Sequence, residues 1–155
     1  MTAPTWHVVL YEPEIPQNAG NVGRTCVALN AKLWLVQPLG FQLDDRRLQR
    51  AGLDYWKDLQ WQIVPHWSAL TAVLGPETRY WFFTKRASTL FWDVRYTPGD
   101  VLVFGSESRG LPSRLLDRHT SQAVSIPQIG PVRSLNLATA AAVALYEAAR
   151  QNRPC

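Results

Sequence analysis

Short runs of β-branched and aromatic residues alternate along the chain with stretches in which apolar residues recur at helical spacing. This alternation is typical of βαβ units, so the sequence predicts an α/β fold with a mostly parallel sheet flanked by helices. The predicted strands cover residues 7–11, 33–37, 62–64, 80–84, 101–104 and 123–126.

Helices are predicted between most of these strands. Val22, Cys26 and Leu29 recur at i, i+4 and i+7, which places them on one apolar stripe of a helix that Asn18 is expected to cap. The final helix is expected to begin at Ser134, because a good cap residue there is followed by about five turns without Gly or Pro. The other predicted helices cover residues 44–52, 67–74 and 112–118, and the final one covers 134–151.

The chain is predicted to form a single domain over residues 1–155, because no repeat, charge run or low-complexity linker divides it. Its apolar runs are far shorter than the roughly 20 residues that cross a bilayer, and its start does not resemble a signal peptide. Cys26 and Cys155 form neither a disulfide framework nor a C-x-x-C motif. We therefore expect a cytoplasmic protein with no membrane partner.

The charge balance favours a polyanionic partner. The formal net charge is +4, and most of the 16 basic residues are Arg, whose planar guanidinium suits bidentate contacts with phosphate. Codon usage is an alternative reason for the arginines. His7, His66 and His119 lie on separate predicted elements without the spacing of a zinc site, so no metal is predicted.

The first of three polar constellations follows the first strand, at residues 12–24. Ligands of parallel sheets bind at the carboxyl ends of strands, where Asn18 and Arg24 would meet them. Gly20 and Gly23 are expected to keep that surface open, and their spacing is not the G-x-G-x-x-G of a nicotinamide site. The alternative is that Asn18 is only a helix cap and Arg24 a solvated charge.

The second constellation, residues 102–112, is a predicted strand that ends in a loop with Gly105 and Gly110. The lysine and Ser/Thr that hold phosphate and magnesium in a P-loop are missing after Gly110, so hydrolysis of ATP or GTP is not expected. Glu107 has two structural alternatives beside a functional role: it accepts backbone N–H bonds that order the loop, or it pairs with Arg109.

The third constellation, residues 126–137, leads from a predicted strand through a Pro/Gly loop into the final helix. Capping explains Ser134. Asn136 lies two positions inside an otherwise apolar predicted helix and has low helix propensity, which favours a ligand contact or a polar network.

Together these stretches resemble the signature motifs of the SPOUT superfamily of S-adenosylmethionine-dependent RNA methyltransferases. The similar segments are N-x-G-N-x-x-R at 18–24, F-G-x-E-x-x-G-L at 104–111, and I-P-x(6)-S-L-N-L at 126–137 with Y-E at 146–147. The opening V-L-Y-E-P-E-I-P-Q-N and the internal R-A-G-L-D-Y-W look in particular like the small tRNA (cytidine/uridine) 2′-O-methyltransferases that act on the anticodon wobble nucleotide.

The resemblance implies an α/β sheet whose C-terminal segment forms a deep trefoil knot, and a homodimer whose interface completes the active site. It implies transfer of a methyl group from S-adenosylmethionine to the ribose 2′-hydroxyl of the wobble pyrimidine, with S-adenosylhomocysteine as product and the tRNA anticodon stem-loop as partner. The alternatives are a non-catalytic RNA-binding protein that keeps the fold, and a 2′-O-methyltransferase for another RNA position.

By the same resemblance, two sets of residues build the site. The cofactor-binding positions are Phe83, Gly105, Ile126, Ser134 and Leu135. The polar residues of the catalytic site are Asn18, Arg24, Glu107, Ser134 and Asn136.

Arg24 is expected to meet the target ribose. A guanidinium stays protonated near neutrality and is a poor base, so we expect Arg24 to hold a phosphate and stabilise the developing oxyanion. Water, phosphate or Glu107 would then take the proton.

RNA contacts are expected from basic side chains and from one tyrosine. The alternative role of the tyrosine is to pack at the dimer interface. The candidates are Arg46, Arg47, Arg50, Lys85, Arg86, Arg133 and Tyr146.

Overall fold

The computed structural model describes residues 2–43 and 54–153. Within them, six parallel strands form one sheet in the order β3-β2-β1-β5-β4-β6. This confirms the predicted α/β fold and its parallel sheet. The strands are β1 (Trp6–Tyr11), β2 (Ala31–Val36), β3 (Gln60–Val64), β4 (Tyr80–Phe83), β5 (Val101–Phe104) and β6 (Ala123–Val124).

In the described ranges, four α-helices connect or follow the strands: α1 (Pro16–Ala28), α2 (Trp67–Leu74), α3 (Ser113–Asp117) and α4 (Leu137–Gln151). Short 3-10 helices cover Asp54–Asp58, Phe91–Asp93 and Thr120–Gln122. The predicted helix 44–52 lies outside the described residues. In the part of the chain that the structure describes, no helix is long and apolar enough to span a membrane.

The sheet is covered on both faces. Val8 and Leu10 of β1 pack in a core with α1 and α4, while Val9 and Tyr11 pack on the opposite side with α2 and α3. The predicted stripe of α1 is confirmed, since its Cys26 is fully buried, and burial raises the pKa of that thiol.

The strand order brings two loops together at the carboxyl end of the sheet. β1 and β5 are neighbours, with Leu10 beside Phe104, so the loops after these strands leave the sheet at adjacent points. The chain then continues to α1 on one face and to α3 on the other. A crevice forms at such a point outside the carboxyl ends of the strands, where parallel α/β sheets bind their ligands.

Candidate active site

A cleft of about 1130 Å³ opens at the carboxyl ends of β4 and β5. Its base includes Phe83 and Phe104, whose stacked rings have centroids 4.6 Å apart. The loops of all three polar constellations contribute to its walls. All five predicted cofactor positions line it: Phe83, Gly105, Ile126, Ser134 and Leu135.

The buried side chain of Asn18 joins the three constellations. Its Nδ2 donates to Oε2 of Glu107 over 3.1 Å, and its Oδ1 accepts from Nδ2 of Asn136 over 3.0 Å. The prediction that Asn18 caps α1 is wrong: the helix begins at Pro16, and Ile15 occupies the cap position without a side-chain cap bond. Asn18 lies in the first turn, where its amide serves tertiary contacts.

Glu107 orders the approach to α1. Its Oε1 accepts from the backbone N–H of Glu14 over 2.9 Å, and its Oε2 accepts from that of Ile15 over 2.8 Å in addition to the Asn18 amide. Three donors therefore engage the carboxylate, as in the loop-ordering alternative. Both of its oxygens are thus used in the contact between the loops after β1 and β5.

A second carboxylate links the same two loops in the opposite direction. Oε1 of Glu14 accepts from the hydroxyl of Ser108 over 2.6 Å and from its backbone N–H over 3.1 Å. These hydrogen bonds hold the pKa of the Glu14 carboxyl below its usual range. The segments after β1 and β5 are thus connected reciprocally by Glu14 and Glu107.

Asn136, and not Ser134, caps the final helix. The predicted start of the final helix at Ser134 is wrong, because α4 begins at Leu137 with Asn136 as its N-cap. Oδ1 of Asn136 accepts from the backbone N–H groups of Ala138 and Thr139, at 2.9 and 3.2 Å. Its Nδ2 donates to Oδ1 of Asn18. This confirms the alternative in which Asn136 belongs to a polar network. Ser134 is exposed on the cleft wall.

The loop after β5 closes tightly on itself at Gly105. A Cβ at this position would lie 2.1 Å from the carbonyl carbon of Gly110 and 2.3 Å from the backbone nitrogen of Leu111. Gly110 has a φ of +67° and donates its N–H to the carbonyl of Ser106 over 2.9 Å. Gly105 therefore lets the backbone of this cleft wall cross itself.

Lys85 and Arg86, two of the residues predicted to contact RNA, connect the loop after β4 to other segments at the rim of the cleft. Nζ of Lys85 donates to the carbonyl of Arg133 over 2.9 Å. The guanidinium of Arg86 donates to Oγ of Ser113 and to the carbonyl of Leu111, over 3.2 and 3.4 Å. Lys85, Arg86 and Arg133 are all exposed and line the cleft, whereas Arg46, Arg47 and Arg50 lie outside the described residues.

Arg24 is not brought into this cleft. It lies on the exposed side of α1 and is not among the lining residues, in contrast to Asn18, Glu107, Ser134 and Asn136. Tyr146 is likewise outside the lining, exposed on α4. The structure thus places four of the five polar residues at the cleft of one chain.

Tyr55 and Trp56 pack on α1, a contact that no pattern in the sequence predicts. The Tyr55 hydroxyl donates to the carbonyl of Gly20, and a Cβ at Gly23 would lie 2.9 Å from the Trp56 ring. The prediction that Gly20 and Gly23 keep this surface open is therefore wrong. The G-x-x-G spacing was the available signal, since it permits close packing as well as ligand access.

Within residues 2–43 and 54–153, no group of three or more His, Cys, Asp or Glu side chains is placed to hold a metal ion. The expectation that the protein works without a metal stays a prediction.

Comparison with known proteins gives a family and named relatives for this chain. Residues 5–146 match the SpoU rRNA Methylase family. The chain is 47% identical over 148 residues to a tRNA (cytidine(34)-2'-O)-methyltransferase of Burkholderia pseudomallei (strain 1106a), covering 94% of this chain and 95% of that protein. The protein of the same name from Methylovorus glucosotrophus (strain SIP3-4) is 44% identical, covering 94% of each chain.

Solved structures share the fold. One, described as giving structural insights into the 2-OH methylation of C/U34 on tRNA, superposes with a TM-score of 0.90 at 47% identity, over 97% of this chain and 98% of that one. The SpoU methyltransferase AviRb from Streptomyces viridochromogenes in complex with AdoMet has a TM-score of 0.84 at 25% identity, over 98% of this chain and 59% of that one. With its family match, its relatives and its fold in agreement, the chain belongs to the SpoU rRNA methylase family.

Proposed function

We propose that this chain is an S-adenosylmethionine-dependent tRNA 2′-O-methyltransferase that methylates the ribose 2′-hydroxyl of the wobble pyrimidine, nucleotide 34. The observation that carries the proposal is the cleft beyond β4 and β5, which all five expected cofactor positions line. Relatives named for this reaction match the chain almost from end to end, which supports nucleotide 34 as the target.

The cleft fits S-adenosylmethionine in size and in chemistry. Phe83, Ile126 and Leu135 offer apolar surface, while the loops around Gly105 and Ser134 offer backbone polar groups. Its volume of about 1130 Å³ exceeds the roughly 300–1,000 Å³ of ordinary ligand pockets, which leaves room for a ribose beside the cofactor. When bound, S-adenosylmethionine supplies a methyl carbon activated by a sulfonium.

Arg24 is proposed to bind the RNA phosphate next to the target ribose and to stabilise negative charge as the 2′-oxygen forms. Its guanidinium presents a planar pair of donors for this and stays protonated near neutrality. Because Glu107 is engaged by three donors, we propose water or phosphate as the proton acceptor. Holding the ribose in line with the reacting carbon would supply much of the rate.

A homodimer is proposed to complete the site. Arg24 lies on the surface of α1 outside the cleft of its own chain, a location from which it can serve the cleft of a second copy. Val143 and Tyr146 stand at i and i+3 on one face of α4 and are 39% and 54% exposed. These apolar side chains are our candidates for the dimer contact.

RNA binding is proposed for the exposed basic residues at the rim of the cleft, Lys85, Arg86 and Arg133. Contacts with phosphate release counterions, so tRNA affinity should fall steeply as salt rises. With tRNA as substrate, we propose the cytoplasm as the compartment. The C-terminal trefoil knot remains a prediction from the resemblance.

The test is incubation of the purified protein with labelled S-adenosylmethionine and tRNA that lacks the wobble ribose methyl group. Digestion and mass spectrometry then identify the methylated nucleoside and its position. We expect a 2′-O-methylated pyrimidine at nucleotide 34, with the transfer strongly reduced in Arg24→Ala.

Two other results would redirect the proposal. Methylation of another RNA position would keep the chemistry and overturn the substrate. Binding of S-adenosylmethionine and tRNA without any transfer would favour the non-catalytic RNA-binding alternative.

A further inference from the structure

The 3-10 helix Asp54–Asp58 packs across α1 at its two glycines. The Tyr55 hydroxyl reaches the carbonyl of Gly20, and Trp56 lies against Gly23, where a Cβ would approach its ring to 2.9 Å. A side chain at position 23 would obstruct the contact. The packing therefore explains why α1 carries a glycine at this position.

This packing brings Tyr55 next to Arg24. The Gly20 carbonyl that accepts from the Tyr55 hydroxyl also receives the backbone N–H of Arg24 within α1, because helical hydrogen bonds run from i to i−4. Helical side chains lean toward the N-terminus, over the preceding turn. The Arg24 guanidinium carbon lies 5.5 Å from the centre of the Tyr55 ring, within the range of a cation–π contact.

We infer that Tyr55 is a positioning residue for Arg24: its ring holds the guanidinium over one face before RNA binds. The inference rests on the proposed function, in which Arg24 meets the phosphate and the ribose. An exposed arginine otherwise samples many rotamers, and restricting them in advance lowers the entropy lost when the site closes on RNA. Ring and hydroxyl have separate tasks, since the hydroxyl anchors the segment at Gly20 and the ring faces Arg24.

Variants at Tyr55 separate these tasks. Tyr55→Phe keeps the ring and loses the anchoring hydroxyl, whereas Tyr55→Leu loses both. We expect Tyr55→Leu to lower kcat/KM for tRNA by about two- to fivefold, as for an exposed cation–π contact, while Tyr55→Phe keeps most of the activity. Affinity for S-adenosylmethionine should be unchanged in both.

A matched control removes a cation–π pair elsewhere. Nζ of Lys32 lies 4.0 Å from the centre of the Trp34 ring, near the beginning of β2 and away from the carboxyl ends of the strands. Lys32→Gln should leave kcat/KM unchanged. An equal loss of activity in Lys32→Gln and Tyr55→Leu would show that the effect is a general loss of stability and would overturn the inference.

The coupling between the two residues is the decisive kinetic readout. In a single-turnover double-mutant cycle, Tyr55→Leu should have no further effect once Arg24 is replaced by alanine. If the activity loss of the double variant equals the product of the two single losses, the inference is overturned. Equal losses in Tyr55→Leu and Tyr55→Phe would also overturn it.

NMR tests the contact without any RNA. The ring current of Tyr55 should shift the Nε–H and Cδ protons of Arg24 upfield in the wild type and in Tyr55→Phe, and the shift should disappear in Tyr55→Leu. Absence of this difference overturns the inference. Failure of the wild-type protein to methylate tRNA would instead overturn the proposed function, so the two failures are distinguishable.

Discussion

Asn136 combines two roles in one side chain, and their separation is testable. Asn136→Ala removes the cap of α4 and the hydrogen bond to Asn18, so we expect the free energy of unfolding to fall by about 1–2 kcal/mol. Asn136→Ser keeps a good cap and is too short to reach Asn18. Chemical denaturation and methyl-transfer assays of both variants provide the measurement.

We expect Asn136→Ser to unfold with nearly the free energy of the wild type and still to lose activity, because Asn18 loses one of its two partners. Full activity in Asn136→Ser would show that the link from Asn18 to α4 is dispensable. Wild-type stability in Asn136→Ala would contradict the capping role.

At the scale of elements, the loop after β5 depends on the absence of a side chain at Gly105. Gly105→Ala places a methyl group against the backbone of Gly110 and Leu111, which has to shift. We expect a lower melting temperature and a loss of S-adenosylmethionine binding, measured by thermal unfolding and calorimetry. Gly130→Ala is the matched control, because nothing lies within 4 Å of its Cβ position and its φ is not positive.

Equal behaviour of Gly105→Ala and Gly130→Ala would contradict this account of the loop. So would normal cofactor binding in a Gly105→Ala protein whose fold is intact.

The contact between Glu14 and Ser108 predicts a pH dependence of stability. Because hydrogen bonds from Ser108 lower the pKa of Glu14 in the folded state, the contact stabilises the protein above the ordinary carboxyl pKa of 4.5 and is lost as pH falls through the lower folded value. Ser108→Ala should therefore lower the melting temperature at pH 7, and the difference from wild type should shrink below pH 4.5. A difference that grows toward acid pH would contradict this sign.

The sequence predicts the presence and type of the helices and strands better than it predicts the residues at which helices begin. β5 and α2 have the predicted bounds, because their apolar patterns are local and unambiguous. Residue type favours Asn18 and Ser134 as helix caps, because Asn and Ser are both preferred at that position. The cap of α4 is Asn136, and the amide of Asn18 serves residues 89 and 118 positions away, which no local pattern encodes.

At the scale of the whole molecule, the motifs predicted the site but not the arrangement that assembles it. Placing β5 beside β1 brings the loops after these strands together, and the reciprocal bonds of Glu14 and Glu107 follow from that neighbourhood. The packing of Tyr55 and Trp56 on α1 is likewise not predictable from the sequence, because it depends on the path of the chain after β2.

The proposed homodimer is tested through the outer face of α4. Tyr146→Asp places a charge in the proposed apolar contact, so we expect a dimer-to-monomer change in light scattering and loss of methyl transfer. Val73→Asp is the control, since Val73 is 59% exposed on α2, at the other face of the sheet. A wild-type protein that is monomeric and active would contradict the shared site, as would an active monomeric Tyr146→Asp.

The most direct test of the central claim is methyl transfer to two tRNAs that differ in one atom, one with ribose and one with 2′-deoxyribose at nucleotide 34. The proposed function predicts transfer of one methyl group per tRNA to the first and none to the second, with comparable binding of both. Equal methylation of the two tRNAs would contradict the ribose 2′-hydroxyl of nucleotide 34 as the acceptor.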